Sequence, residues 1–189
     1  ENVKNLKNNF KILKFNEFDN TYSRDIKVFK DDLYISSSFK SKEDCYYYKI
    51  FKTSLQNFPK LNFKTIFSSV ECNKSAYSGG RIGILETDKK RNILLTTYDG
   101  AQRDYLAQDD KSIFGKILII DENNGNYEIF SKGHRNSIGL YIDNKKNIIL
   151  NTENGPRGGD EINLISRNQN YGWAISSYGD NYNNKNSNN

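Results

Sequence analysis

Histidine and tryptophan each occur once in this 189-residue sequence and proline twice; His134, Trp173 and Pro156 all fall between positions 133 and 180. Three polar strings share that stretch: Gly133-His134-Arg135-Asn136, then Glu153-Asn154-Gly155-Pro156-Arg157-Gly158-Gly159-Asp160-Glu161, then Asn170-Tyr171-Gly172-Trp173. Gly155 to Gly159 cannot continue a strand, because proline lacks an N–H donor and glycine favours bends. It reads as a loop offering backbone carbonyls and amides to a ligand. Structural readings stand beside the chemical ones. Arg135 can pair with Asp160 or Glu161, Asp99 can serve as a turn residue before Gly100, and His134 and Trp173 can fill a core.

The elements that must hold these strings read as short strands. Runs rich in Ile, Leu, Tyr, Phe and Thr recur at 26–29, 33–39, 46–55, 63–69, 82–85, 93–98, 116–120, 127–130, 138–142, 148–152 and 162–166, separated by polar turns rich in Asn, Asp and Gly. No long 3.6-residue period interrupts them, so the sequence predicts an all-β domain of antiparallel sheets. A repeat sharpens this. The stretch 83–100 matches 139–155, offset by 56 residues at its start and 55 at its end, and places the Gly155 loop at the same end as Asp99-Gly100. A weaker echo lies at 26–37. A multi-strand unit recurring about every 50 residues predicts a β-propeller, of which about three blades fit this chain.

Composition bounds the rest. Apolar residues are 35% and aromatic residues 13%, with 13 Tyr and 11 Phe, so a core built on aromatic and Ile/Leu strands is expected and collagen, coiled coil and full disorder are excluded. No apolar run reaches the ~18 residues of a membrane span, and the sequence reads as a soluble chain. The net charge of +5 is concentrated early: residues 1–75 hold 14 Lys/Arg against 9 Asp/Glu, the remainder 14 against 14. Tyr46-Tyr47-Tyr48-Lys49-Ile50-Phe51-Lys52 interleaves aromatics and cations as a nucleic-acid stacking platform would. The same letters alternate as a half-buried strand, and that reading is preferred over a nucleic-acid partner. Cys45 and Cys72 lack metal spacing; two buried thiols and one disulfide both fit, the thiols being favoured. With Glu1 first and no methionine, the sequence reads as a processed or excerpted chain, and 183–189 as a disordered polar tail.

Together, Gly-His-Arg-Asn at 133–136, Gly-Pro-Arg-Gly-Gly-Asp-Glu-Ile-Asn-Leu at 155–164 and Asn-Tyr-Gly-Trp at 170–173 resemble the glucose/sorbosone dehydrogenase family of soluble sugar dehydrogenases. Gly80-Arg81-Ile82, Ala107-Gln108-Asp109 and Gly115-Lys116-Ile117-Leu118 extend the likeness. It covers residues 76–182, with 1–75 as a basic N-terminal segment of one or more blades. The resemblance implies a six-bladed β-propeller and hydride transfer from C1 of an aldose to pyrroloquinoline quinone (PQQ), with an external electron acceptor and a periplasmic or secreted location. It also implies that Arg135, Asn136 and Asn154 contact the anionic quinone, for which arginine offers a planar charge-assisted fork. The Gly155 and Pro156 carbonyls would hold Ca²⁺, a hard ion that prefers oxygen, and Asp180 a second, structural Ca²⁺. Asp99 would orient a catalytic base. Where the family has a histidine base, this sequence has Tyr77, whose phenol ordinarily titrates at about 10, against about 6.5 for histidine. Tyr77, Asp99 and Arg135 are thus the catalytic candidates, and a non-catalytic binding protein is the rival reading.

Overall fold

A computed structural model describes residues 15–74, 79–87, 90–100 and 104–180. Tyr77 and the 183–189 tail lie outside them. Eleven strands form among the described residues: β1 (Thr21–Phe29), β2 (Asp32–Lys40), β3 (Tyr46–Ser54), β4 (Lys64–Ser68), β5 (Ile82–Glu86), β6 (Arg91–Thr96), β7 (Lys116–Asp121), β8 (Tyr127–Lys132), β9 (Ser137–Asp143), β10 (Ile148–Glu153) and β11 (Glu161–Leu164). Each of the eleven runs read from the sequence is one of them. The repeated segments are the hairpins β5–β6 and β9–β10, and the weaker echo is β1–β2.

The strands make three antiparallel sheets, ordered β1-β2-β3-β4, β5-β6-β7-β8 and β11-β10-β9. The expected six-bladed propeller is corrected here: hydrogen-bonded pairing stops at the edges of each sheet, and no sheet is closed or curled into a ring. The physical reason is that the repeat encodes an antiparallel strand pair, which any meander of hairpins satisfies; it carries no information on closure.

Face-to-face packing joins the sheets. Tyr34, Tyr48, Ile50 and Phe67 of the first meet Ile82, Ile84, Ile93, Leu95, Leu118 and Ile120 of the second in one buried cluster. Leu94, Ile117 and Phe130 on the other face of the second sheet meet Ile149 and Ile165, with Leu140 and Ile142, at the third. The middle sheet is therefore apolar on both faces, which explains the unbroken runs Ile93-Leu94-Leu95 and Ile117-Leu118-Ile119-Ile120. Charges tie the first two sheets along one edge. Arg91 bridges Asp32 at 2.7 Å and Glu122 at 3.5 Å, and Lys52 bonds the same two carboxylates. Tyr34 donates to Glu122 at 2.8 Å, and burial, then that carboxylate, pushes its phenol up to about 12. Lys52 is thus engaged in ion pairs, while Lys49 caps the Phe39 ring at 3.6 Å. Tyr48, Ile50 and Phe51 of the same run are buried. Cys45 and Cys72 form a disulfide with a Cα–Cα distance of 5.6 Å, in place of the two thiols favoured from sequence. No helix among the described residues is long and apolar enough to cross a membrane.

Candidate functional site

Three segments leaving strand ends converge: 97–100 after β6, 133–136 between β8 and β9, and 154–160 between β10 and β11. The middle one is stitched to both neighbours. Asp99 N–H donates to the Arg135 carbonyl at 3.0 Å, and Asn154 N–H to the Asn136 carbonyl at 2.9 Å. The repeat had placed Asp99 and the Gly155 loop at one end, and the structure brings both against residues 135 and 136. Glycine makes the crossing passable. Gly133 has φ +75°, and a Cβ there would lie 2.2 Å from Asn170 Oδ1; at Gly155 it would lie 1.8 Å from the Gly159 carbonyl.

Arg135 is the centre of the site. Its Nη1 donates to the carbonyls of Asn154 (2.8 Å) and Gly155 (2.9 Å), and its guanidinium lies 5.3 Å from the Trp173 ring centroid. The indole N–H of Trp173 in turn donates to Asp99 Oδ2 at 2.8 Å. Asn136, next along the chain, has a buried side-chain oxygen without a hydrogen-bond partner. A cleft lined by Gly133, Arg135, Pro156, Tyr171 and Trp173 opens between the loops.

Under the cleft, sequence reasoning missed a hub. A register shift between Thr152 and Glu153 ends β10 and leaves the Glu153 side chain buried. Its carboxylate bonds His134 Nδ1, accepts from Arg135 N–H at 2.9 Å and from Asn163 Nδ2 at 3.3 Å. A carboxylate only accepts, so this network assigns the proton to Nδ1, and Nε2 accepts from Ser131 Oγ at 2.8 Å. His134 is fully buried and stacks on Tyr171 at 4.8 Å. The core reading of His134 is the one the geometry supports.

A second missed residue is Lys116. Its side chain is fully buried, and Nζ donates to the carbonyls of Leu106 (2.7 Å), Ala107 (3.1 Å) and Phe114 (2.7 Å). Burial pulls its ammonium down to about 8. The loop so gathered supports the site, since the Ala107 and Gly115 carbonyls accept the N–H groups of Gly133 and His134 at 3.1 Å each. No three-residue spacing marks either Glu153 or Lys116; each emerges only when loops meet.

The site suits one implied ligand better than the other. A planar anion finds a guanidinium and an aromatic wall, in a cleft that Glu153 and Glu161 also line. Ca²⁺ does not fit the loop as it stands. The Gly155 carbonyl already accepts from a cation, the Pro156 carbonyl accepts Gly159 N–H at 2.8 Å, and no group of three His, Cys, Asp or Glu converges among the described residues. Asp160 caps this loop, accepting Gly155 N–H at 3.0 Å. Asp180 pairs through its backbone with Arg157, its N–H donating to the Arg157 carbonyl at 2.9 Å.

Comparison with known proteins agrees with these motifs and extends beyond them. The sequence profile of the Glucose / Sorbosone dehydrogenase family matches residues 26–189, beginning well before residue 76. The chain is 32% identical over 135 residues to Aldose sugar dehydrogenase YliI of Escherichia coli (strain K12), spanning 64% of this chain and 35% of that protein. To Quinoprotein glucose dehydrogenase B of Acinetobacter calcoaceticus it is 36% identical over 84 residues, 38% of this chain and 17% of the other. The fold matches the soluble aldose sugar dehydrogenase of Escherichia coli in its apo-form with TM-score 0.68 and 25% identity, over 80% of this chain and 47% of that one. The PQQ-bound aldose sugar dehydrogenase of Streptomyces coelicolor matches with TM-score 0.61 and 27% identity, over 77% and 44%. The chain thus spans half or less of the length of these relatives. The profile spans every segment that builds the Arg135 cleft, and the chain belongs to the glucose/sorbosone dehydrogenase family.

Proposed function

We propose that this chain supplies a quinone-binding wall of a PQQ-dependent aldose dehydrogenase. The observation that carries the reading is the Arg135 guanidinium set against the Trp173 ring in one cleft, in a chain of this family. The quinone, when bound, supplies the two-electron acceptor for hydride leaving C1 of the sugar. Arg135 binds a carboxylate of the ligand with charge-assisted donors, and Asn136 offers a second polar contact. Trp173 covers one side of the cleft and excludes water. Asn154 turns its carbonyl to Arg135 and so positions it. The segment 76–182 carries the site residues, and the first sheet, β1 to β4, packs against the sheet that bears Asp99. The Cys45–Cys72 disulfide fits an oxidising compartment, in keeping with a periplasmic or secreted protein. A sugar and an external electron acceptor are the partners this reading requires.

Equilibrium binding of PQQ to the protein tests it. Arg135→Gln removes hydrogen bonds to a charged group worth about 1.5–3 kcal/mol, so affinity should fall about 10- to 150-fold. Undiminished affinity in the variant, or no binding by the wild type, contradicts the proposal.

Tyr77, standing where the family has its histidine base, favours a second reading: a member that binds quinone without rapid catalysis. General-base catalysis contributes about 10²–10⁴-fold. Under the second reading Tyr77→His raises aldose oxidation by up to that factor. A fast wild type silenced by Tyr77→Phe makes Tyr77 itself the base.

A further inference from the structure

Asp99 is the residue whose expected role and observed contacts differ most. The family resemblance makes it the partner of a catalytic base, yet its buried carboxylate accepts the indole N–H of Trp173 at 2.8 Å. Trp173 is fixed at its backbone as well: its N–H donates to the Gly133 carbonyl at 3.0 Å, and its own carbonyl accepts from Gln108 Nε2. With both ends held, the ring cannot turn away from the guanidinium 5.3 Å from its centroid. Asp99 N–H also donates to the Arg135 carbonyl at 3.0 Å, so one residue grips Arg135 by its backbone and, through Trp173, by its side chain.

We propose that Asp99 is a positioning residue for the ligand-binding arginine: its carboxylate holds the Trp173 indole against Arg135 and so presets the guanidinium for a planar anionic ligand. The physical basis is preorganisation. An arginine side chain left to itself loses rotamer freedom on binding, whereas one stacked on a fixed aromatic ring and directed to two carbonyls has already given it up. Charge-assisted acceptance by a buried carboxylate makes the indole bond stronger than a neutral one. This inference rests on the proposed quinone site for its ligand, but its first readout requires no ligand.

The experiment follows the indole N–H resonance of Trp173, assigned by its loss in Trp173→Phe, in the full protein without cofactor, and then measures PQQ affinity. In the wild type the indole proton should be shifted downfield and protected from solvent exchange. Asp99→Ala should move it upfield, speed its exchange at least about tenfold and weaken PQQ binding about tenfold. Asp99→Asn retains an acceptor oxygen and should restore affinity to within about threefold of wild type. Trp173→Phe keeps a ring but removes the donor, so it should weaken binding like Asp99→Ala even if that variant folds poorly. An indole signal unchanged in Asp99→Ala overturns the proposal, as does a released indole with PQQ affinity intact. If the wild type binds no quinone while the indole responds as described, the positioning of Trp173 stands and the quinone reading fails.

Discussion

Removing the Glu153 carboxylate should loosen the site from beneath, by an amount that follows from what the side chain satisfies. Glu153→Ala deprives three donors of their acceptor: His134 Nδ1, Arg135 N–H and Asn163 Nδ2. Asn163 keeps Glu161 as a second acceptor at 3.2 Å, so two donors are stranded. An orphaned buried donor costs about 1–3 kcal/mol, giving roughly 3–5 kcal/mol in all with the lost packing. For a domain of this size that lowers the melting temperature by about 10 °C. Glu153→Gln behaves differently. Its carboxamide oxygen can still serve Arg135 N–H, and its amide can donate to Nδ1 if His134 moves its proton to Nε2 and donates to Ser131 Oγ. That exchange forfeits the Asn163 bond, a loss of about 1 kcal/mol. Urea unfolding followed by circular dichroism measures both. A loss below about 1 kcal/mol in Glu153→Ala, or equal losses in the two variants, would refute the reasoning.

Other outcomes follow from the same contacts. Lys116 titrates near 8 when folded and 10.5 when unfolded, so between those values the unfolded chain binds more protons and stability should rise with pH. The rise is at most about 3 kcal/mol, and Lys116→Met should abolish it; above about pH 10 the raised phenols of Tyr34 and Tyr48 reverse the trend, because there the folded chain holds the protons. Arg91→Met leaves Lys52 to bridge Asp32 and Glu122 without the guanidinium, and thermal melts should show about 1–2 kcal/mol of destabilisation, which Arg91→Met/Lys52→Met should exceed. Reducing the Cys45–Cys72 bridge, with its sequence separation of 27 residues, should cost about 3–4 kcal/mol, read as a lower urea midpoint.

The strands were legible because alternation and turn chemistry are local. Leu33 to Phe39 and Tyr46 to Leu55 announce themselves by β-rich letters, and Asn-Asp-Gly turns separate them. The corresponding ends of the two repeats were legible too, which put Asp99-Gly100 and the Gly155 loop at the same end of their strand pairs. Closure was not, because it depends on how sheets meet and not on any one strand pair. The same holds for the site's supports. Glu153 opens the polar string after the 148–152 run, and only the register shift turns it under His134; Lys116 opens the 116–120 run, and its burial shows only when three carbonyls surround its ammonium. Cys45 and Cys72, 27 positions apart, carry no spacing signal for a bridge; only the pairing of Tyr46 with Asn73 brings them together.

A crystal structure of the protein soaked with PQQ tests the central claim most directly. The account predicts quinone density in the cleft, with a carboxylate within hydrogen-bonding distance of Arg135, the Asn136 amide turned to a ligand oxygen, and Trp173 still bonded to Asp99. Density at another surface, or an Arg135 side chain unchanged and without ligand at saturating quinone, would contradict it.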